Sequence, residues 1–251
     1  MSRNLNFNAV CLRARLSGES NREAWFLCAE EGIIKATVFG GPKSKLRAQV
    51  ASFHQGKLLV YHDPVKNSNK VTDFDVHTWR PGLGELYERV MAANSLAETV
   101  LATHAGGGAW SSAMKLAGDA LDCLENADEK TCPRILLHFF WAWTEFLGIR
   151  PDPGHCSGCA CEASPDGLIW YNPKEGNFYC GKCRGSAFAG SSGSDITVGA
   201  GARRWLSAVE KIWPKDAVRY SLDKISFEQA RSLTLSVLTE SLGRRLPLWD
   251  Y

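Results

Sequence analysis

Three observations predict an α+β multidomain chain. Apolar and polar residues alternate at strand length through the first eighty residues, and the period turns helical after Arg80-Pro81-Gly82. Two C-x-x-C pairs, Cys156/Cys159 and Cys180/Cys183, then interrupt the helical region. Together these predict an N-terminal five-stranded OB-fold barrel, then a helical bundle domain with an inserted four-cysteine zinc finger. The corresponding segments are 1–79, 80–152, 153–192 and 193–251.

Five strands are read in the first segment. Asn6 to Leu16 alternates through Val10, Leu12, Ala14 and Leu16. Glu23 to Ala29 and Ile33 to Phe39 follow, split by a Glu31-Gly32 hairpin turn. Lys57 to His62 and Val71 to Trp79 complete the set, separated by Asp63-Pro64 and the polar run Asn67-Ser68-Asn69. Five short antiparallel strands in so short a segment fit a closed barrel of a type that commonly binds nucleic acid.

Helical spacing then takes over. Leu86, Val90, Ala93, Ala97 and Leu101 form one stripe, and Trp110, Met114, Ala117, Leu121 and Leu124 a second, with Gly106-Gly107-Gly108 between them. A third helix is expected from an N-cap at Thr131 to a stop at Gly148, with Pro133 in its first turn. It is apolar nearly all round, which marks a central helix. Beyond a flexible linker at Gly190–Ser194, two more helices are expected, around Arg203 to Trp213 and from Ser226 to Leu242. Ser226-Phe227-Glu228-Gln229 has the capping-box pattern, and Gly243 is the stop.

The two cysteine pairs stand about twenty residues apart, and each has a glycine inside it, Gly158 and Gly181. Cys156, Cys159, Cys180 and Cys183 can surround one tetrahedral Zn2+, each pair supplying two thiolates. Four thiolates leave no open coordination position, so the expected ion is single and structural, not catalytic. Cys161 and His155 are expected to be spare. Cys11, Cys28, Cys123 and Cys132 lie mostly among apolar residues and read as small buried hydrophobes.

Composition narrows the function. The 251 residues are 45% hydrophobic and 22% charged, ordinary values for a soluble globular protein. No signal or transit peptide is evident, and the longest apolar run, Ile135 to Leu147, is too short to span a bilayer. Nine cysteines without a secretory signal point to a reducing cytoplasm and to no membrane association. The net charge of +2 hides a basic residue 1–80 segment at +5, an acidic 81–150 segment at −4 and a nearly balanced remainder at +1. Lys35, Lys43, Lys45, Arg47 and Lys57 occupy a stretch free of acidic residues, which suggests a polyanionic partner.

Enzyme motifs fail. Gly40-Gly41-Pro42-Lys43-Ser44 lacks the P-loop glycines, since position 42 is Pro and position 37 is Thr. His104-Ala105-Gly106-Gly107-Gly108 has no G-x-S-x-G to accompany it. No H-x-E arrangement serves the cysteine pairs, so no enzyme is expected. Gly40 to Arg47 reads instead as a loop that lays Lys43, Lys45 and Arg47 along a phosphate backbone. Trp25, Phe39, Phe53 and Tyr61 are the nearby aromatics for base stacking.

The succession from Val10 to Arg22, then Glu31-Gly32-Ile33-Ile34, then Gly40 to Arg47 resembles the opening of the bacterial RecO family of recombination-mediator DNA-repair proteins. The apolar helix running into Leu147-Gly148, the four-cysteine pairs and the terminal Leu242 to Leu246 are similar too. Ser20-Asn21 departs from the charged pair usual there, and Lys57 to His62 is less basic than the family pattern. The resemblance implies a protein that binds single- and double-stranded DNA and anneals complementary strands. With RecR it would help load RecA, indirectly, onto single strands coated by single-stranded-DNA-binding protein (SSB), in the RecF pathway. Docking of the SSB C-terminal tail is implied as well, as is a cytoplasmic, nucleoid-associated location. Matching DNA-contact positions are Lys43, Lys45 and Arg47, then Arg13, Arg15 and Arg22, with Lys35 added from the acid-free stretch. Two rival readings remain: a zinc-ribbon RNA-binding or ribosome-associated protein, and a scaffold whose basic barrel binds acidic protein tails.

Overall fold

The structure is a computed structural model that describes residues 3–41, 43–187 and 195–250. The chain forms two compact units, Met1–Cys132 and Pro133–Tyr251. This division follows compactness, whereas the four sequence segments follow changes of period, so the helices over 87–102 and 110–125 belong with the barrel.

In the first unit, β1 (Asn4–Ser17), β2 (Asn21–Cys28), β3 (Gly32–Val38), β4 (Gln55–Asp63) and β5 (Ser68–Thr78) form a closed barrel of order β1-β2-β3-β5-β4. Antiparallel pairing of β1 with β4 closes it, and β3 meets β5 in parallel at Thr37 and Lys70. This is the expected OB-type barrel. Alternation sends Phe7, Ala9, Ala24, Phe26, Leu58 and Phe74 into the barrel core. Cys11 and Cys28 join them as expected; burial pushes the Cys11 thiol up to about 12 and raises Cys28 as well. Leu12 is the extra residue of a bulge, after which Arg13 and Arg15 lie opposite Trp25 and Glu23.

The segment expected to be a plain basic loop is only partly one. Lys45–Gln49 forms a short helix, α1. Its cause is apolar: Leu46 packs against the barrel core and Val50, four residues on, is fully buried. The helix closes one part of the barrel core and turns Lys45 outward.

Two longer helices, α2 (Tyr87–Ala102) and α3 (Trp110–Glu125), pack against β1 and β2. Trp110 sits over Gly32, whose φ of +72° serves the hairpin and whose missing Cβ leaves room for the indole. At the barrel–helix junction Arg80 is almost wholly buried. Its Nε donates to Asp122 Oδ1 at 2.6 Å, Nη1 to the Phe53 carbonyl at 2.6 Å, and Nη2 to Gln55 Oε1 at 2.9 Å. Gly118 on α3 permits this approach, since a Cβ there would lie 3.0 Å from Gln55 Oε1.

The second unit contains α4 (Cys132–Phe146), β6 (Ile169–Asn172), β7 (Asn177–Tyr179), α5 (Gly181–Ala187), β8 (Ile196–Val198), α6 (Ala200–Val209), α7 (Pro214–Ala217) and α8 (Lys224–Leu242). The central-helix reading of α4 holds: Ile135 through Trp141 are buried, and the Trp141 indole donates to the Leu206 carbonyl at 3.2 Å. The cysteine segment is woven into this unit. β6 pairs with β7 inside the segment and with β8 beyond it, and Ile169, Tyr171 and Phe178 share one core with Leu206, Leu233 and Val237. The linker at Gly190–Ser194 lies outside the described residues.

One capping expectation is corrected. α8 is capped by Asp223, whose carboxylate accepts from the Ser226 backbone N–H at 3.0 Å. A carboxylate is the stronger acceptor for helix-start N–H groups, so the helix begins before Ser226. Gln229 is thereby free to accept from the Gly199 N–H at 2.9 Å. Gly243, at φ +66°, ends the helix as expected.

Candidate metal centre and nucleic-acid face

Cys156, Cys159, Cys180 and Cys183 bring their Sγ atoms within 4.8 Å of one another. Cys159 and Cys180 Sγ are 3.8 Å apart, matching the edge of about 3.8 Å that a tetrahedron with metal–sulfur bonds of about 2.3 Å requires. The local backbone is built for this. Ser157 N–H donates to the Phe178 carbonyl at 2.8 Å, tying the first pair to β7, and Ala160 turns back to the Cys156 carbonyl at 2.8 Å. The second pair begins directly after β7, and its turn runs into α5. These four cysteines can therefore hold one metal ion.

The cluster's electrostatics favour thiolate at Cys156 and Cys180 but not at Cys183. Burial acts to raise the Cys156 thiol, but N–H groups of Cys180, Cys159 and Gly158 outweigh it and bring it down to about 6. The Cys180 N–H lies 3.2 Å from that sulfur. Cys180 is lowered by the Cys183 N–H above all. Cys183 is pushed up to about 12, chiefly by its hydrogen bond with Cys159, so a cation must displace its proton. Cys161 Sγ lies 3.3 Å from Cys159 but falls outside the four-atom group, and His155 Nδ1 pairs with Asp152 at 2.9 Å.

On the barrel, the cations separate into three settings. Arg13, Trp25 and Lys35 are successive cross-strand neighbours on one outer face of β1, β2 and β3, and Arg15, Glu23 and Thr37 form the next row. Arg15 Nη2 meets Glu23 Oε2 at 2.9 Å and Lys35 Nζ meets Glu23 Oε1 at 2.7 Å. Both cations also lie over Trp25, with Arg15 Cζ 4.7 Å and Lys35 Nζ 5.2 Å from the ring centre. Lys43 and Lys45 are exposed, whereas Arg47 is half-buried. Residues two apart on a helix do not face the same way, so Lys45 and Arg47 are not a continuous track. Arg22 has a bracing part: its Nη1 donates to the Arg47 carbonyl at 3.2 Å, holding α1 to β2.

Two residues of this face had no signal in the linear sequence. Lys70 lies 5.4 Å from the ring centre of the exposed Phe39, a contact made by the parallel β3–β5 meeting. Glu23 was read as part of a strand, and its pairing with two candidate cations depends on register. The other side of the barrel differs in charge: Lys57 lies opposite Asp75, and Leu59 opposite Asp73.

A closed OB-type barrel with a cationic, aromatic outer face, followed by a helical unit carrying a four-cysteine metal-binding cluster, defines the class of this chain. Residues 1–78 match the family described as "Recombination protein O N terminal". The chain is 29% identical over 171 residues to the DNA repair protein RecO of Synechocystis sp., covering 66% of this chain and 62% of that protein. It is 29% identical over 213 residues to the RecO of Pelotomaculum thermopropionicum, covering 82% and 77%. With the RecO of Desulfitobacterium hafniense (strain Y51) it shares 24% identity over 248 residues, 95% of this chain and 89% of that one. The chain is thus similar over most of its length to RecO DNA repair proteins, and its residues 1–78 match the N-terminal part of that family.

Proposed function

We propose that this chain is a DNA repair and recombination mediator that works without catalysis. It binds single- and double-stranded DNA, anneals complementary strands and, with RecR, helps load RecA onto SSB-coated strands at the nucleoid. Similarity to RecO proteins supports this reading, and the observation that carries it is the outer face of β1–β3. There Arg13, Arg15 and Lys35 surround Trp25, while Lys43 and Lys45 add two exposed cations to the same unit. Cations offset phosphate charge and an aromatic ring accepts a base without regard to sequence, the needs of a protein that handles any strand. Offsetting the charge of two strands lowers their mutual repulsion, so pairing proceeds with no covalent step. No helix of the described residues is long and apolar enough to cross a membrane.

The metal proposed for the four cysteines is a single structural Zn2+, the ion that suits four thiolates in a tetrahedron. Its bound form would hold the Cys156–Cys159 turn to the end of β7, stabilising the sheet that β8 completes.

Replacing Lys43, Lys45 and Arg47 together with alanine tests the DNA reading. If each contributes a phosphate contact, the salt slope of single-strand binding falls by about 2 units, from roughly 0.7 per contact. An unchanged slope removes this segment from the interface. Matched RNA competing as well as DNA would favour an RNA-binding function instead.

A further inference from the structure

We infer that Glu23 is an internal competitor for the nucleic-acid phosphate, holding Arg15 and Lys35 across Trp25 until a strand displaces it. This rests on the proposed DNA-binding role of the barrel and assigns a regulating residue to that face.

The geometry divides the carboxylate between two cations. Oε2 accepts from Arg15 Nε at 3.3 Å and Nη2 at 2.9 Å, and Oε1 takes Lys35 Nζ at 2.7 Å. A phosphate presents the same chemistry to the same groups, a delocalised anion able to accept an arginine fork. Glu23 itself is fastened by the sheet, directly opposite Arg15 and diagonal to Lys35. Its side chain is 22% exposed while those of Arg15 and Lys35 are 60% and 52% exposed, so the cations are the partners open to an incoming strand. Hydrogen bonds from Lys35 and then Arg15 hold the Glu23 carboxyl below its usual range, keeping it ionised at neutral pH.

The indole gives the arrangement a second consequence. With both cations drawn to Glu23, each also lies over Trp25, whose face a base would need for stacking. Transfer of Arg15 and Lys35 from carboxylate to phosphate uncovers that ring. Backbone capture and base stacking are thereby linked through one carboxylate, which lowers resting affinity and favours strands flexible enough to offer phosphate and base together.

The test is single-strand binding by the full chain across a salt series, read by the anisotropy of a labelled oligothymidylate. Glu23→Gln keeps the side-chain size and removes the anion. It should bind about fivefold tighter near ~0.1 M salt, with a slope steeper by about 0.7, the value of one added net charge. Glu23→Thr, a good strand former, should show the same gain and decides the matter if the Gln variant melts early. Equal or weaker binding by a folded Glu23 variant would overturn the inference alone. Failure of the unaltered chain to bind the strand would overturn the DNA-binding reading beneath it.

Discussion

Replacing Cys156 and Cys180 with serine should unfold the second unit while leaving single-strand binding by the barrel within about twofold. The double change removes one thiolate from each pair, including the sulfur held at about 6 by three N–H groups. Structural four-ligand zinc sites contribute on the order of 10 kcal/mol in small peptides, comparable to the whole stability of a domain. The sheet offers little in compensation, because β7 has three residues and β8 has three. Their pairing with β6 places Tyr171, Phe178 and Val198 into the core shared with α6 and α8. Loss of the centre should therefore spread beyond the cysteine segment. Limited proteolysis and bound-metal analysis, run beside an oligonucleotide titration, check both halves of the expectation. A folded, protease-resistant double variant would show that the cysteines are not the clasp of this unit.

Arg80→Met should cost about 3–5 kcal/mol of stability in the first unit, the range for breaking a buried charged network from one side. For a unit of this size that is roughly 10–20 °C in the melting midpoint. The Arg80 side chain is 1% exposed, and its Nη2 reaches the Gly118 carbonyl at 3.4 Å in addition to the three partners already described. Asp122 is 53% exposed and can return to water, so most of the loss comes from the Phe53 and Gly118 carbonyls and Gln55. Phe53 adds to it. Its φ of +72° is an unfavourable conformation for a bulky residue, held by N–H donation to the Cys11 carbonyl at 2.6 Å and by Arg80 on its own carbonyl. Arg80→Lys should recover only part of the loss, because one ammonium cannot reproduce a fork serving four acceptors. Chemical denaturation of the three proteins measures the difference. A loss below about 1 kcal/mol for Met would show that the network merely fills space.

The five barrel strands were legible because a strand with one buried face writes its orientation into every second residue, as Ala24, Phe26 and Cys28 do. The four-cysteine cluster was legible because both pairs are local, each turn aiming two sulfurs with little help from the rest of the chain. α1 was not. Five residues are too few to establish a helical period, and Leu46 and Val50 gain their meaning only from the barrel core they meet. Ser226 and Gln229 matched a capping pattern, yet an acidic residue three positions earlier took the cap, and Gln229 found a partner thirty positions away.

Arg80 shows the same limit most plainly. Before Pro81 and Gly82 it reads as punctuation, yet it is the charged centre of the first unit because Phe53, Gln55, Gly118 and Asp122 converge on it. Glu23 reads as one polar residue of an alternating strand and becomes the partner of Arg15 and Lys35 through register. Periodicity and tight spacing are properties of neighbours along the chain, so the amino-acid sequence alone determined the five barrel strands, the main helices and the four paired cysteines, but not the short strands β6, β7 and β8. Which cations stand over which ring, and which carboxylate restrains them, depends on residues far apart in the chain being brought face to face. Only strand pairing and helix packing could decide that.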